Sequence, residues 1–202
     1  ERSGINWPDL LVALSAAWLF QVMPRDTRQG DMLPMWMPAM NRRGQAATNV
    51  PSLAVNTLPL LVSPPPSATL GDFLMTMAQQ LRELRSHAGY RLRQLAADRG
   101  VEPGSRFFIS PFINVQPFDA PRFTGCSGTR RVLAGGSGDG FNLTYRGRTD
   151  ARDLQVDIDI YLEQFPTEDV LDYGEVLQEF LLRALQREAW EQPLAALTAL
   201  PA

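Results

Sequence analysis

The sequence contains no lysine: all 19 of its basic residues are arginine. It has one histidine, His87, and one cysteine, Cys126. Each scarcity excludes chemistry. Without lysine there is no Schiff base, no pyridoxal phosphate anchor and no P-loop lysine. One cysteine allows no internal disulfide, and one cysteine with one histidine cannot build a zinc site of the usual Cys/His type. A Ser-His-Asp or Cys-His triad would have to run through His87. The lysine deficit itself reads as codon bias in a GC-rich genome. Net charge is −3, so nothing advertises nucleic acid. The longest apolar run, Leu10 to Met23, is broken by Ser15 and Gln21 and reads as a buried helix, not a membrane span. No signal peptide is visible, and a cytoplasmic protein is expected. The chain opens Glu1-Arg2-Ser3-Gly4 without a methionine, as expected of an excised piece.

What is present is enough for a core. The 202 residues are 45% apolar and 20% charged, ordinary for one domain or half of a larger one. Asn6 caps a first helix that has Pro8 and Asp9 in its opening turn, runs to about Gln21, and is apolar on most faces. A loop covers Pro24 to Asp31. Met32 to Pro38 reads as a short strand, Asn41 to Gly44 as a polar turn, and Leu53 to Val62 as a second strand. Pro59 inside that strand points to a sheet edge or an irregular end. Ser63 to Ser67 is a rigid loop before a helix capped by Thr69, with Asp72 at the capping-box position. Leu70, Phe73, Leu74, Met77, Leu81 and Leu84 recur at helical spacing. Gly89 ends that helix, and a second runs from Tyr90 to Arg99.

After Gly104 the character turns to β. Arg106 to Pro117 reads as a strand buried on both faces. Further strands are expected at Arg130 to Leu133, Phe141 to Arg146 and Asp153 to Tyr161. In the last, Leu154, Val156, Ile158 and Ile160 face inward. Thr167 caps a final helix whose core side carries Val170, Leu171, Val176, Leu177, Phe180, Leu181 and Leu185, and which Pro193 ends. The order of elements predicts an α/β layer fold, a mixed sheet packed with helices. Residues 1–193 are expected to form one lobe, and residues 194–202 to begin a linker to a following domain.

Candidate chemistry is sparse. His87 is either a base or, more simply, a polar residue at a helix C-terminus, where the dipole favours a cation. Gly135 to Gly140 is a phosphate-binding turn or a surface loop. It lacks the strand-turn-helix context and the lysine of phosphate loops. Asp157 and Asp159 share a strand face and are an acid/base pair, a metal site or, more simply, a solvated surface. Asn56 and Asn114 are polar side chains in apolar β runs. Each is expected to need hydrogen-bond partners, and together they point to a polar seam at a pocket or interface.

Four stretches carry a family resemblance. Pro38-Ala39-Met40-Asn41-Arg42, followed by Val55-Asn56-Thr57-Leu58-Pro59, resembles the Pro-x-x-x-Arg and Val-Asn-Thr-Leu-Pro motifs of condensation domains of nonribosomal peptide synthetases. His87-Ala88-Gly89-Tyr90-Arg91 through Leu95 is similar to the family's His-x-x-Tyr-Arg-x-x-x-Leu. Phe108 to Asp119 resembles its Phe-x-Pro-x-x-Asn-Val-x-Pro-Phe-Asp strand, in the form of the enterobactin-synthetase-like branch found in siderophore assembly. The closing strand, Phe165-Pro166-Thr167, long helix and Pro193-Leu194 fit the family's end.

The resemblance implies the C-terminal lobe of a chloramphenicol-acetyltransferase-like fold of two lobes with a tunnel between them. It implies amide formation between carrier-bound thioesters. The family's His-His-x-x-x-Asp-Gly motif belongs to the other lobe, so this lobe holds no catalytic residue and is expected to be inactive alone. Asn56 and Asn114 would line the substrate tunnel. Arg42, His87, Tyr90, Arg91 and Asp139 would be structural. Asp139 closes a stretch in which Ser137 and Gly138 depart from the family's Gly-Pro-Val-x-Asp. Residues around Gln116 to Gly135 would cross to the other lobe as a latch. No metal and no directly bound cofactor are expected; phosphopantetheine would arrive on partner carrier domains. The implied partners are the N-terminal lobe, peptidyl carrier domains and an adjacent adenylation domain, with no nucleic acid and no membrane. A heterocyclisation or epimerisation lobe, or a non-catalytic carrier-docking lobe, remains open.

Overall fold

The computed structural model describes residues 4–41, 54–102, 109–119, 123–128, 140–163, 165 and 167–197. Helix α1 (Trp7–Val22) starts as its sequence dictates: the Asn6 side-chain oxygen accepts the Asp9 N–H at 3.0 Å, with Pro8 in the first turn. Every residue from Leu11 to Leu19 is buried. The helix is therefore enclosed on all sides, which explains why it shows no polar stripe.

Among the described residues the sheet is mixed and five-stranded, in the order β2-β1-β3-β4-β5. Strands β1 (Leu33–Met40) and β2 (Val55–Val62) pair antiparallel along their whole length, and β1 extends two residues past the expected Pro38 to do so. Strands β3 (Phe112–Pro117) and β4 (Phe141–Gly147) pair parallel, β3 also lies parallel to β1, and β5 (Gln155–Ile160) closes the far edge antiparallel to β4. Among the described residues strand β2 is the other edge, one of the two alternatives that Pro59 offered. Pro59 sits opposite Trp36, whose N–H points the other way, to the Pro111 carbonyl at 2.8 Å. The Pro59 nitrogen therefore faces away from β1, and its missing donor costs the ladder nothing.

Helix α2 (Leu70–Ser86) has the expected cap: the Thr69 hydroxyl accepts the Asp72 N–H at 3.1 Å and donates to the Asp72 carboxylate at 2.7 Å. Leu70, Phe73, Leu74, Met77 and Leu81 are buried as the spacing predicted. The helix ends on His87, two residues before Gly89, and the short α3 (Leu92–Asp98) begins two residues after the expected Tyr90.

Three expectations are corrected. In β3 only Ile113 is fully buried and the other residues are half-buried, because α1 covers one face and the other carries Asn114 and Gln116. Leu154, just before β5, and Val156 within it point to the helix side yet are 44% and 39% exposed, since an edge strand outreaches the helix layer; of the four, Ile158 and Ile160 pack against the core. Helix α4 (Thr167–Ala184) includes Thr167 as its first helical residue and stops nine residues before Pro193. Its end is sealed by the Trp190 indole, which donates to the Ala184 carbonyl at 3.0 Å from a 3-10 turn over Arg187–Glu191. Leu177 and Phe180 are buried, but Leu185 falls beyond the helix and is 55% exposed. Pro193 instead bridges to Thr69, and Leu194 and Leu197 of α5 (Leu194–Leu197) are buried in the core, so packing runs past residue 193. The expected strand at Arg130 to Leu133, the turn over Gly135 to Asp139 and the side chains of Val170 and Leu171 lie outside the described residues.

Candidate functional site

Below the C-terminal ends of parallel β1 and β3, the start of α1 and the end of α2 leave a cleft of about 320 Å³. Among the described residues its walls are apolar, including Pro8, Val12, Met37, Ala39 and Ile113, apart from Arg85. A crevice beyond the carboxyl ends of parallel strands is where open α/β sheets bind ligands.

Two polar assemblies shape the cleft. The first is an ion pair. Asp9 is only 4% exposed, yet carries a carboxylate into the first turn of α1. Both its oxygens accept from Arg85, Nη1 at 2.7 Å and Nη2 in a second, short contact, while the Asn6 amide donates to it at 2.9 Å. A buried carboxylate needs such a set of donors, and the bidentate fork supplies geometry as well as charge. Hydrogen bonding to Asp9 raises the Arg85 pKa above its ordinary value, against the opposing effect of burial. The pair ties α1 to α2 across 76 residues of sequence.

The second assembly centres on Asn56. From β2 its amide donates to the carbonyls of Ala88 at 2.9 Å and Tyr90 at 2.6 Å, and its oxygen accepts the Leu92 N–H at 3.3 Å. Leu92 is the first residue of α3, whose cap position, Arg91, offers no side-chain bond. Asn56 thus caps a helix 36 residues away in sequence. By holding the Ala88 and Tyr90 carbonyls it also fixes the turn that keeps α2 and α3 apart. Ala88 is buried and lines the cleft beside Arg85.

Asn114 is elsewhere. Asn56 pairs with Ala39 on the helix-covered face, whereas Asn114 shares the opposite face with Phe112 and Trp36. The two asparagines therefore form no common seam. Thr144 and Asp157 follow Asn114 across β4 and β5, and Arg146 pairs with Asp157. That ion pair makes Asp157 a half-buried partner, while Asp159 is exposed.

His87 is exposed at the C-terminus of α2, the position its simpler reading gave it. The Tyr90 hydroxyl donates to Asp98, to which Gln94 also donates at 2.9 Å. These bonds raise the Tyr90 pKa and lower that of Asp98. Arg91 is exposed. Arg42 and Asp139 lie outside the described residues.

Sequence reasoning missed the Asp9–Arg85 pair and a second buried contact, Ser15 Oγ to Tyr145 hydroxyl at 2.7 Å, which locks α1 to β4. The one signal for the latter was a serine in the otherwise apolar run from Leu10 to Phe20. Burial pushes the Tyr145 pKa up to about 12, although the Ser15 hydrogen bond lowers it. Among the described residues no group of His, Cys, Asp and Glu is placed to hold a metal ion, and no helix is long and apolar enough to cross a membrane.

No family model matches the chain. Individual proteins do. A dimodular nonribosomal peptide synthase of Bacillus subtilis is 28% identical over 182 residues, 90% of this chain. Enterobactin synthase component F of Escherichia coli is 31% identical over 120 residues, 59% of this chain. The chain spans only 7% and 9% of the length of these two relatives. Among solved structures, VibH, a nonribosomal peptide synthetase condensation enzyme, is 34% identical, with a TM-score of 0.78 over 96% of this chain and 46% of VibH. The first condensation domain of the CDA synthetase, 23% identical, shares the fold with a TM-score of 0.73 over 99% of this chain and 43% of its own. The mixed sheet with its helix layer is the chloramphenicol-acetyltransferase-like arrangement of these neighbours. In sequence and in fold, this chain is similar to the condensation domains of nonribosomal peptide synthetases, and it matches less than half of VibH, the extent of one lobe.

Proposed function

We propose that this chain is the C-terminal lobe of a condensation domain that forms amide bonds between carrier-bound thioesters, in a siderophore-type assembly line. The observation that carries this reading is its match to VibH along nearly all of this chain but less than half of that enzyme. In the proposed reaction the amine of one carrier-bound group attacks the thioester carbonyl of another. The C–S bond breaks, the thiol leaves with one proton, and the amide forms. This lobe's single histidine, His87, caps a helix and is exposed, so the base that accepts the amine proton comes from the partner lobe with its His-His-x-x-x-Asp-Gly motif. A positioned base contributes roughly 10²- to 10⁴-fold.

This lobe's own share is positioning and exclusion of water, which would otherwise hydrolyse the thioester. The apolar cleft at the ends of β1 and β3 suits that task. The polar sheet face with Asn114, Thr144 and Asp157 suits a tunnel wall opposite the N-terminal lobe. Phosphopantetheine reaches the tunnel on carrier domains, and an adenylation domain adjoins, in the cytoplasm. The test is condensation with loaded carrier domains. The two-lobed domain should give amide product and this chain alone none; turnover by the lone lobe would sink the reading.

A further inference from the structure

We infer that Asn56 is a positioning residue that sets the wall of the cleft and does not touch substrate, an inference that deepens the reading above. Both amide N–H bonds of Asn56 are spent on main-chain carbonyls, Ala88 at 2.9 Å and Tyr90 at 2.6 Å, and its oxygen faces the Leu92 N–H at 3.3 Å. A side chain whose donors are both taken has none for a ligand. The three bonds converge on five residues, 88 to 92, which contain the turn between α2 and α3 and the first residue of α3. That turn is the continuation of the cleft wall. Ala88 lines the cleft with Arg85, and Arg85 is fixed from the other side by Asp9.

The wall is thus held at two points by residues from other elements, Asp9 of α1 and Asn56 of β2. Along the turn itself the main-chain support is short-range: Ala88 N–H to the Arg85 carbonyl at 3.2 Å and Tyr90 N–H to the His87 carbonyl at 2.9 Å. Such a turn keeps its shape locally but not its place on the sheet. Asn56 supplies the place. Gln-for-Asn substitution lengthens the tether by one methylene and misplaces the wall. Asp-for-Asn substitution keeps the length but sets an anion against two carbonyl oxygens. Protonating that carboxyl restores one donor, so the defect is relieved only as pH falls into the ordinary carboxylate range.

The test uses the two-lobed condensation domain containing this lobe, with loaded carrier domains as substrates and Asn56→Asp, Asn56→Gln and Asn56→Ala as variants. Activity is compared with wild type at each pH from 6 to 8.5, and amide hydrogen exchange of residues 87–93 is measured on the same samples. Asn56→Asp should fall about tenfold or more throughout this pH range. Exchange at 87–93, compared with wild type at the same pH, should speed up in step, while the α1 amides stay protected. Asn56→Gln should match Asn56→Ala in both readouts. The inference is overturned if activity falls while exchange at 87–93 stays at wild-type rates, since that is a substrate contact. It is equally overturned if exchange rises and activity does not change. A wild-type domain that makes no amide product refutes the proposed reaction, and the exchange data then still decide whether Asn56 holds the turn.

Discussion

Raising the pH should unlock this lobe through one buried phenol. Tyr145 is 0% exposed, in β4, and its hydroxyl shares a 2.7 Å hydrogen bond with Ser15 of α1. Burial raises its pKa from 10.0 to about 12. Below pH 10 the phenol is neutral in both folded and unfolded chains and stability is flat. Between pH 10 and 12 the unfolded chain releases its proton and the folded chain does not, so stability drops as pH rises. A two-unit gap corresponds to about 3 kcal/mol at the top of that window. Urea denaturation at intervals from pH 9 to 12 measures the loss, with tyrosinate absorbance reporting ionisation. Tyr145→Phe should remove this slope while lowering stability near pH 8 by about 1–2 kcal/mol, because Ser15 is left buried without its partner. Adding Ser15→Ala should recover most of that, since both partners are then apolar. Identical alkaline slopes in wild type and Tyr145→Phe would refute the argument, as would an undiminished cost in the double variant.

The Asp9–Arg85 pair should couple energetically. Arg85→Met leaves a buried carboxylate with only Asn6 to donate, and should cost about 1–3 kcal/mol, less than a fully buried pair because the Arg85 side chain is 41% exposed. In a double-mutant cycle with Asp9→Asn the two losses should be clearly non-additive; additivity would mean the pair is idle. Leu14→Ala, in the enclosed heart of α1, should cost about 3 kcal/mol in urea denaturation, whereas Leu185→Ala should stay within about 0.5 kcal/mol. The reverse ranking would contradict the core assigned here.

The sequence made periodic and capped elements legible because their causes are local. Asn6 and Thr69 cap helices within three residues of the groups they serve, and the stripe from Leu70 to Leu81 needs only helical spacing. Pro59 marked an edge because a missing donor is tolerated only there. What escaped depends on residues distant in sequence. Gly89 marked the break between α2 and α3, but nothing near it announced that an asparagine in β2, more than thirty residues upstream, holds the turn. The ion pair of the cleft joins α1 to the end of α2, and periodicity treats both residues as surface. Alternation in β5 told which side Leu154 and Val156 face, but not that the helix layer stops short of them. Of the resemblance-based site, the structure ties Asn56 to the carbonyl of Ala88, which lines the cleft, and turns Asn114 to the other face of the sheet.

The outward-facing nitrogen of Pro59 has a consequence for how this lobe behaves among other chains. Open sheet edges recruit passing strands, and recruitment needs an unbroken row of donors and acceptors. At the middle of β2 that row lacks a donor, so an incoming strand would have to leave one of its own carbonyls unanswered there. The residue that costs the sheet no internal bond therefore guards this rim against runaway pairing with neighbouring molecules.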